Sequence, residues 1–287
     1  GSNERSPEGA RTSYRRLRLA EWATDVECGA GALAARVIVN RLWQHHLGRG
    51  IVATPNDFGL QGERPTHPEL LEWLAGELTE GEWSLKRIHR LILSSAVYRQ
   101  SSAGREDAAA RDPDNRLLWR FQPRRLEAEP IRDSLLYVTG WLDTAMFGPG
   151  TLDEGQRRRS VYFTVKRSQL TPMLQLFDAP DASTSLGRRS QTTIAPQALV
   201  FLNDPHVRRW AEALGADLAA PPPAAAREGV LRAYERILGR PPQADEAEAA
   251  AAFLQPAASR GDADSWSAAL ADLTQVLFGS NEFVYLD

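Results

Sequence analysis

The sequence predicts a mainly α-helical protein: a large multi-helix domain with long ordered loops, at most one short β element, and a small C-terminal helical unit. Three observations lead there. Apolar residues recur at three- and four-residue spacing in one segment after another, and clusters of Gly, Pro, Asn and Asp separate those segments. Only one stretch, Arg159–Val165, alternates apolar and polar residues in the manner of a half-buried strand. With 287 residues, 43% hydrophobic and 25% charged, the chain is long enough to bury a sizeable core and has the composition of an ordinary globular protein.

Each element follows from a local signal. Residues 1–13 are polar and read as a loose arm. Helical spacing predicts one helix over Leu17–Thr24 and a longer one over Ala32–Leu47, whose apolar face is Val37, Val39, Leu42, Trp43, His46 and Leu47, with Gly48 as its stop. A long loop rich in Gly, Pro, Asn and Asp follows, up to Pro65; ordered loops of that length are often functional. Thr66 and Glu69 have capping-box spacing and Pro68 suits a first turn, so a helix is expected over Thr66–Leu78. Ser84 is the expected cap of a helix over Leu85–Ala96. Asp112–Asn115 reads as a turn, and Leu126–Trp141 as a helix that tolerates Pro130 only in its first turn.

Beyond the strand candidate, helices are expected at Pro196–Leu202 and His206–Leu218. Residues 220–226, rich in Ala and Pro, form an expected linker, and helices at Arg227–Leu238, Ala244–Leu254 and Ser265–Leu277 complete the chain. This organisation gives a main helical domain over 14–219 and a C-terminal unit over 227–287 packed on it.

Composition excludes several classes. No apolar run approaches the roughly 18 residues a membrane span needs, and no signal-peptide pattern is present in this chain. The chain opens with Gly-Ser instead of Met, as expected of a processed or excised piece. A single cysteine, Cys28, cannot form an internal disulfide and supplies no C-x-x-C-H haem attachment motif, so no cofactor is expected. All but two of the 34 cationic side chains are arginine, Lys86 and Lys166 being the lysines, yet the net charge is −3. That balance offers no field attracting phosphates, and no nucleic-acid partner is expected.

Candidate chemistry concentrates in two regions. In the first, His45, Asp57, His67 and Glu69 are interleaved with Asn40 and Arg41 around the long loop. A carboxylate beside a histidine is the minimal arrangement for general acid–base catalysis, and it is equally how a buried histidine satisfies its ring nitrogens. Adjacent histidines point about 100° apart on a helix, and no H-x-x-x-H spacing is present, so no metal site is expected. In the second region, Arg124 and Arg125 with Glu127, Glu129, Arg132 and Asp133 include three- and four-residue spacings that suggest a structural network locking their helix against that of Asn40 and Arg41, with an anion site as the alternative. Arg188, Arg189, Gln191 and Thr193 precede an expected helix N-terminus, where an anionic ligand or a loop-anchoring role are both open. Neither a G-x-S-x-G elbow nor a G-x-x-x-x-G-K-[ST] loop occurs.

Three stretches together carry a family resemblance: Arg36–Gln100, Asp112–Leu136 and Thr192–Val207. With them the chain, from about Leu19 to Asp287, resembles the planctomycete-type C-terminal domain of unknown function, the PSD domain, of large secreted proteins. There the domain follows another uncharacterised domain and often a cytochrome c-like domain. The resemblance implies an extracytoplasmic location, with other domains of a larger parent protein or a cytochrome c-like partner as its company and a glycan as a further ligand class. The resulting expectation is a binding or assembly domain of an extracytoplasmic multidomain protein. The alternative is a hydrolase-type enzyme, acting on a polysaccharide, with its site around His45, Asp57, His67 and Glu69.

Overall fold

Residues 13–181, 183, 185–220 and 225–287 are described by the structure, a computed structural model. Fourteen α-helices and one two-stranded sheet occur among the described residues, so the chain is mainly α-helical with long loops. The expected arm at 1–13 lies outside the described residues except for Ser13, and so does most of the expected linker at 220–226. The chain divides into two compact units, one ending at Gln122 and one spanning Pro123–Leu286.

The first unit holds α1 (Arg15–Thr24), α2 (Gly31–Leu47), α3 (Pro68–Glu80), α4 (Leu85–Ser94), α5 (Ala96–Arg99) and α6 (Glu106–Arg111). Helix α2 packs against α1, α3 and α4, and α3 against α4. Val39, Trp43, Leu71, Leu74, Leu78, Ile88 and Ile92 are buried there. As the spacing predicts, α2 stops at Leu47, with Gly48 in the left-handed conformation. The expected capping box at the start of α3 does not form. Thr66 is turned back onto the loop instead: its N–H donates to the Ile51 carbonyl at 2.9 Å, so the helix starts only at Pro68 and His67 occupies the cap position. Ser84 stands at the cap of α4 without a side-chain bond, whereas Ser95 accepts from the Tyr98 N–H and caps the short α5.

The second unit comprises β1 (Arg124–Arg125), α7 (Ala128–Val138), α8 (Pro172–Leu176), α9 (Ala195–Asn203), α10 (Pro205–Leu218), α11 (Ala226–Leu238), α12 (Ala244–Arg260), α13 (Ala263–Phe278), α14 (Asn281–Val284) and β2 (Tyr285–Leu286). Strand β2 pairs antiparallel with β1, Arg124 opposite Leu286 and Arg125 opposite Tyr285, so the end of the chain closes on the start of this unit. Helices on both sides of residues 220–226 share one core: Trp210 and Leu214 of α10 belong to the same buried cluster as Val230, Leu254 and Leu270. The C-terminal helices are therefore part of the second compact unit, Pro123–Leu286. Close approach of α10 to α13 explains this. A Cβ on Gly215 would lie 2.6 Å from the Ala271 nitrogen and 2.7 Å from the Ser267 oxygen, so only glycine lets the two backbones touch.

Two expectations from periodicity give way to local hydrogen bonding. The stretch Arg159–Val165 is not a strand. Ser160 donates both its N–H and its hydroxyl to one Asp133 carboxylate oxygen, each at 2.7 Å, and Ser160–Tyr162 coils into a short 3-10 turn. Only an isolated bridge, Thr151 to Phe163, remains of extended pairing there. Helix α7 also ends before Trp141, because the Thr139 hydroxyl takes up the Leu135 carbonyl at 2.8 Å and Gly140 turns into the left-handed region.

One ion-pair junction ties the C-terminal helices together. Arg240, just past α11, donates to both Glu246 oxygens at 2.7 and 2.8 Å and to both Glu282 oxygens at 2.7 and 2.6 Å. The Glu246 carboxylate also accepts the Gln243 N–H at the start of α12. These bonds, that from Arg240 foremost, hold the Glu246 carboxyl down to about 2 from its ordinary 4.5. A carboxyl whose folded pKa is depressed contributes stability that is fully present above the ordinary value and lost as pH falls toward the folded one. The expected outcome is a Glu246 side chain that titrates near pH 2 by carboxyl-detected NMR and returns toward 4.5 in Arg240→Ala. A wild-type midpoint near 4.5 would mean that the junction does not form.

Candidate functional site

In the first unit the hub is Asn40. It is fully buried on α2, and both ends of its amide engage one residue of the long loop: Nδ2 donates to the Val52 carbonyl at 3.0 Å, and the Val52 N–H donates to Oδ1 at 2.8 Å. The side chain thus behaves as one rung of a β-ladder. A Cβ on Gly50 would fall 2.5 Å from the Val52 oxygen and 2.8 Å from the Asn40 Nδ2, so the clamp requires glycine there. Farther along, the Thr54 hydroxyl donates to the Asp57 carbonyl and accepts the Glu63 N–H, while the Asp57 carboxylate accepts the Gly59 N–H at 2.8 Å. The loop is therefore ordered by its own polar groups, and Leu60 stands fully exposed at its tip.

The four residues of the hydrolase alternative are placed as follows. His45 is exposed on α2, and Glu69 is exposed in the first turn of α3. The Asp57 carboxylate is engaged in its local turn, and His67 Nδ1 lies 3.0 Å from the Thr66 hydroxyl. Among the described residues, no three His, Cys, Asp or Glu side chains gather into a group that could hold a metal ion. Arg41 is half-buried on α2. Sequence reasoning placed His46 beside Trp43 and Leu47 and missed its partner on α4: His46 Nε2 lies 2.7 Å from His89 Nδ1, with the Tyr98 ring edge-on at 5.9 Å. No local signal marks a pair formed between residues 43 positions apart.

In the second unit, three arginines each fasten a different segment. Arg125 is 5% exposed and pairs with Asp178 at 2.6 Å, its guanidinium 5.2 Å from the centre of the Phe177 ring. Asp178 also accepts the N–H and the hydroxyl of Thr192, both at 2.8 Å. Arg189 forms a two-pronged pair with Glu129 at 2.7 and 3.1 Å and meets Glu127 at 3.1 Å. Partial burial works against the charge on Arg189, but the Glu129 bond and the attraction of both carboxylates outweigh it and raise its pKa. Arg132 is 2% exposed. It donates to the carbonyls of Glu154, Gln156 and Arg158 and to the Ser160 hydroxyl, with Phe163 and Trp210 rings 4.7 and 5.9 Å away. Burial lowers its pKa, while nearby Asp133, Asp153 and Glu154 oppose that shift.

These partners differ from those that helical spacing suggests. Arg125 and Arg124 precede α7 in β1, so Arg125 and Glu129 do not share a helix face, and each finds its partner on a distant loop. Asp178 and Ser160 complete the network and were not legible, because nothing near them in sequence announces partners as distant as Arg125 and Asp133. Of the residues preceding α9, Arg189 faces the two glutamates and Gln191 Nε2 reaches the Arg125 carbonyl at 3.5 Å, while Arg188 and Thr193 are exposed. The N-terminus of α9 is finished by Gln197, which accepts the Ile194 N–H and donates to the Leu176 carbonyl.

The family model for PSD1, described as a protein of unknown function (DUF1553), matches residues 15–254, and the chain belongs to that family. No curated protein and no solved structure matches it.

The two carboxylates of the network differ in what their loss would strand. Asp178→Ala leaves the nearly inaccessible Arg125 charge without its counter-ion, and the expected cost is about 3–5 kcal/mol. Glu129→Ala leaves Arg189, which keeps Glu127 and partial access to water, and the expected cost is about 1–2 kcal/mol. Urea denaturation of both variants checks the order; equal costs would refute the distinction between the two sites.

Proposed function

We propose that this DUF1553-family chain is a binding or assembly domain of an extracytoplasmic multidomain protein. The observation that carries the reading is the Asn40 clamp, a buried amide committed wholly to fixing the loop whose tip presents an exposed Leu60. A loop held in advance of binding loses little conformational freedom when it docks, which is how preordered recognition loops gain affinity. Of the residues that suggested catalysis, Asp57 supports the same reading, since its carboxylate, like Thr54 and Thr66, is engaged in shaping the loop. By the family resemblance, the partner is another domain of the same protein or a cytochrome c-like protein, with a glycan as the remaining ligand class.

Titration of the domain against a purified c-type cytochrome, with a glycan array alongside, tests the proposal. Binding is expected to weaken at least about tenfold in Leu60→Asp, by loss of a buried leucine contact, with an unchanged melting temperature. Asn40→Ala is expected to weaken binding and also to cost about 2–3 kcal/mol, since it leaves the buried Val52 N–H and carbonyl unsatisfied. Polysaccharide hydrolysis that disappears in His67→Ala would overturn the reading in favour of an enzyme.

A further inference from the structure

Another surface, in the second unit, points to a different kind of contact. Between α7 and α8 the chain makes a long excursion whose tip, Met146-Phe147-Gly148-Pro149, is held from beneath by side chains. The Phe147 N–H donates to the Tyr162 hydroxyl oxygen at 2.8 Å, and Arg158 donates to the carbonyls of Phe147 and Pro149 while its guanidinium lies 3.6 Å from the Tyr162 ring centre. Arg132 secures the returning segment of the excursion through three further carbonyls. The result is unusual for a folded chain: Met146 and Phe147 are 70% and 77% exposed, and Phe147 is kept at a φ of 67°, a conformation that bulky residues rarely adopt. Polar bonding has fixed a tip that offers its two large apolar side chains to the outside.

The surroundings of this tip are cationic. Residues 157–167 contain five arginine or lysine side chains and no acid. Arg158 is used internally, while Arg157, Arg159, Lys166 and Arg167 are exposed, as are Val161 and Val165 between them. The bridge from Thr151 to Phe163 runs this basic stretch alongside the tip. Of the nearby acids, Asp143 and Asp153 are turned to backbone N–H groups of their own turns, Asp133 holds Ser160 with Arg159 3.8 Å away, and Glu154 is exposed.

We propose that this excursion docks on an anionic lipid surface, with Met146 and Phe147 entering the boundary between headgroups and acyl chains while Arg157, Arg159, Lys166 and Arg167 engage lipid phosphates. Its shape favours lipid over a protein partner. A specific protein interface needs a broad, complementary patch with a desolvated centre, whereas two adjacent apolar side chains ringed by cations suffice as an interfacial anchor. This surface lies apart from the Asn40 loop in sequence and in compact unit, so it stands or falls independently of the function proposed above.

The test is co-sedimentation of the full chain with vesicles of phosphatidylcholine alone and with phosphatidylglycerol added, with polyglutamate as the probe for an acidic protein surface. Binding is expected only on the anionic vesicles and should weaken with added salt. It should fall at least about tenfold in Met146→Ser/Phe147→Ser and again in Lys166→Glu/Arg167→Glu. All four positions are exposed, so both variants should keep the wild-type melting temperature. Absence of vesicle binding, equal binding to uncharged vesicles, or binding that the tip substitutions leave unchanged would each overturn the proposal. Tip-dependent binding of polyglutamate without vesicle binding would also overturn it, and would assign the surface to an acidic protein partner.

Discussion

The burial of the Arg132 guanidinium is the constraint around which the second unit is arranged. Removing a full charge from water costs several kcal/mol unless its donors are satisfied, and a guanidinium carries five N–H donors in a rigid plane. Three of its partners are carbonyls of one irregular segment, Glu154, Gln156 and Arg158, and the fourth is the Ser160 hydroxyl. That segment has no helical or sheet ladder of its own to saturate those carbonyls, so the cation and the loop complete each other. The neighbouring Asp133 then takes the Ser160 N–H and hydroxyl. One turn of α7 thereby dictates the path of a long excursion, and Phe163 and Trp210 seal the charge with their ring faces.

Arg125 and Arg189 likewise fasten the segment between α8 and α9, through Asp178 and through Glu127 and Glu129. This gives the arginine content a physical role that composition alone did not reveal. Abundant arginine with a net negative charge argued against a nucleic-acid surface, and several arginines go into junctions within the fold, multiply bonded at Arg132, Arg189 and Arg240. Arg240, bonded to Glu246 and Glu282, is the surface version of that junction. Lysine could not replace these residues, because a single ammonium cannot span two carboxylates or several carbonyls in one plane.

The helices were legible because their signals are local. The apolar stripe of α2 and its stop at Gly48 can both be read within one or two turns of chain. The misreadings fall where a distant partner overrides a local pattern. Residues 159–165 alternate as a strand, yet the Asp133 carboxylate bends them into a turn. Thr66 has capping-box spacing, yet the Ile51 carbonyl claims it. Strands β1 and β2 are two residues each and separated by most of the second unit, too short to leave a periodicity. At the candidate sites, the identity of the polar residues was legible and their pairing was not. Asn40 stood out in sequence, but its partner is the backbone of Val52, which no side-chain pattern encodes.

This distinction between buried and presented polar groups carries the functional argument. Arg132, with all its partners inside the fold, has little capacity left for a ligand, and an Asn40 amide spent on Val52 cannot also orient a substrate. A catalytic site needs groups positioned but unsatisfied until the substrate arrives. Here the well-positioned polar groups of the long loop are satisfied by the loop itself. Two loop tips ordered by such bonds carry exposed apolar side chains: Leu60 on the loop that Asn40 holds, and Met146 with Phe147 on the tip bonded by Arg158 and Tyr162. Loops that spend buried polar groups on their own order and end in exposed hydrophobic side chains gain nothing for the stability of the isolated chain. On the binding role proposed above, that cost is recovered when those side chains leave water against another surface.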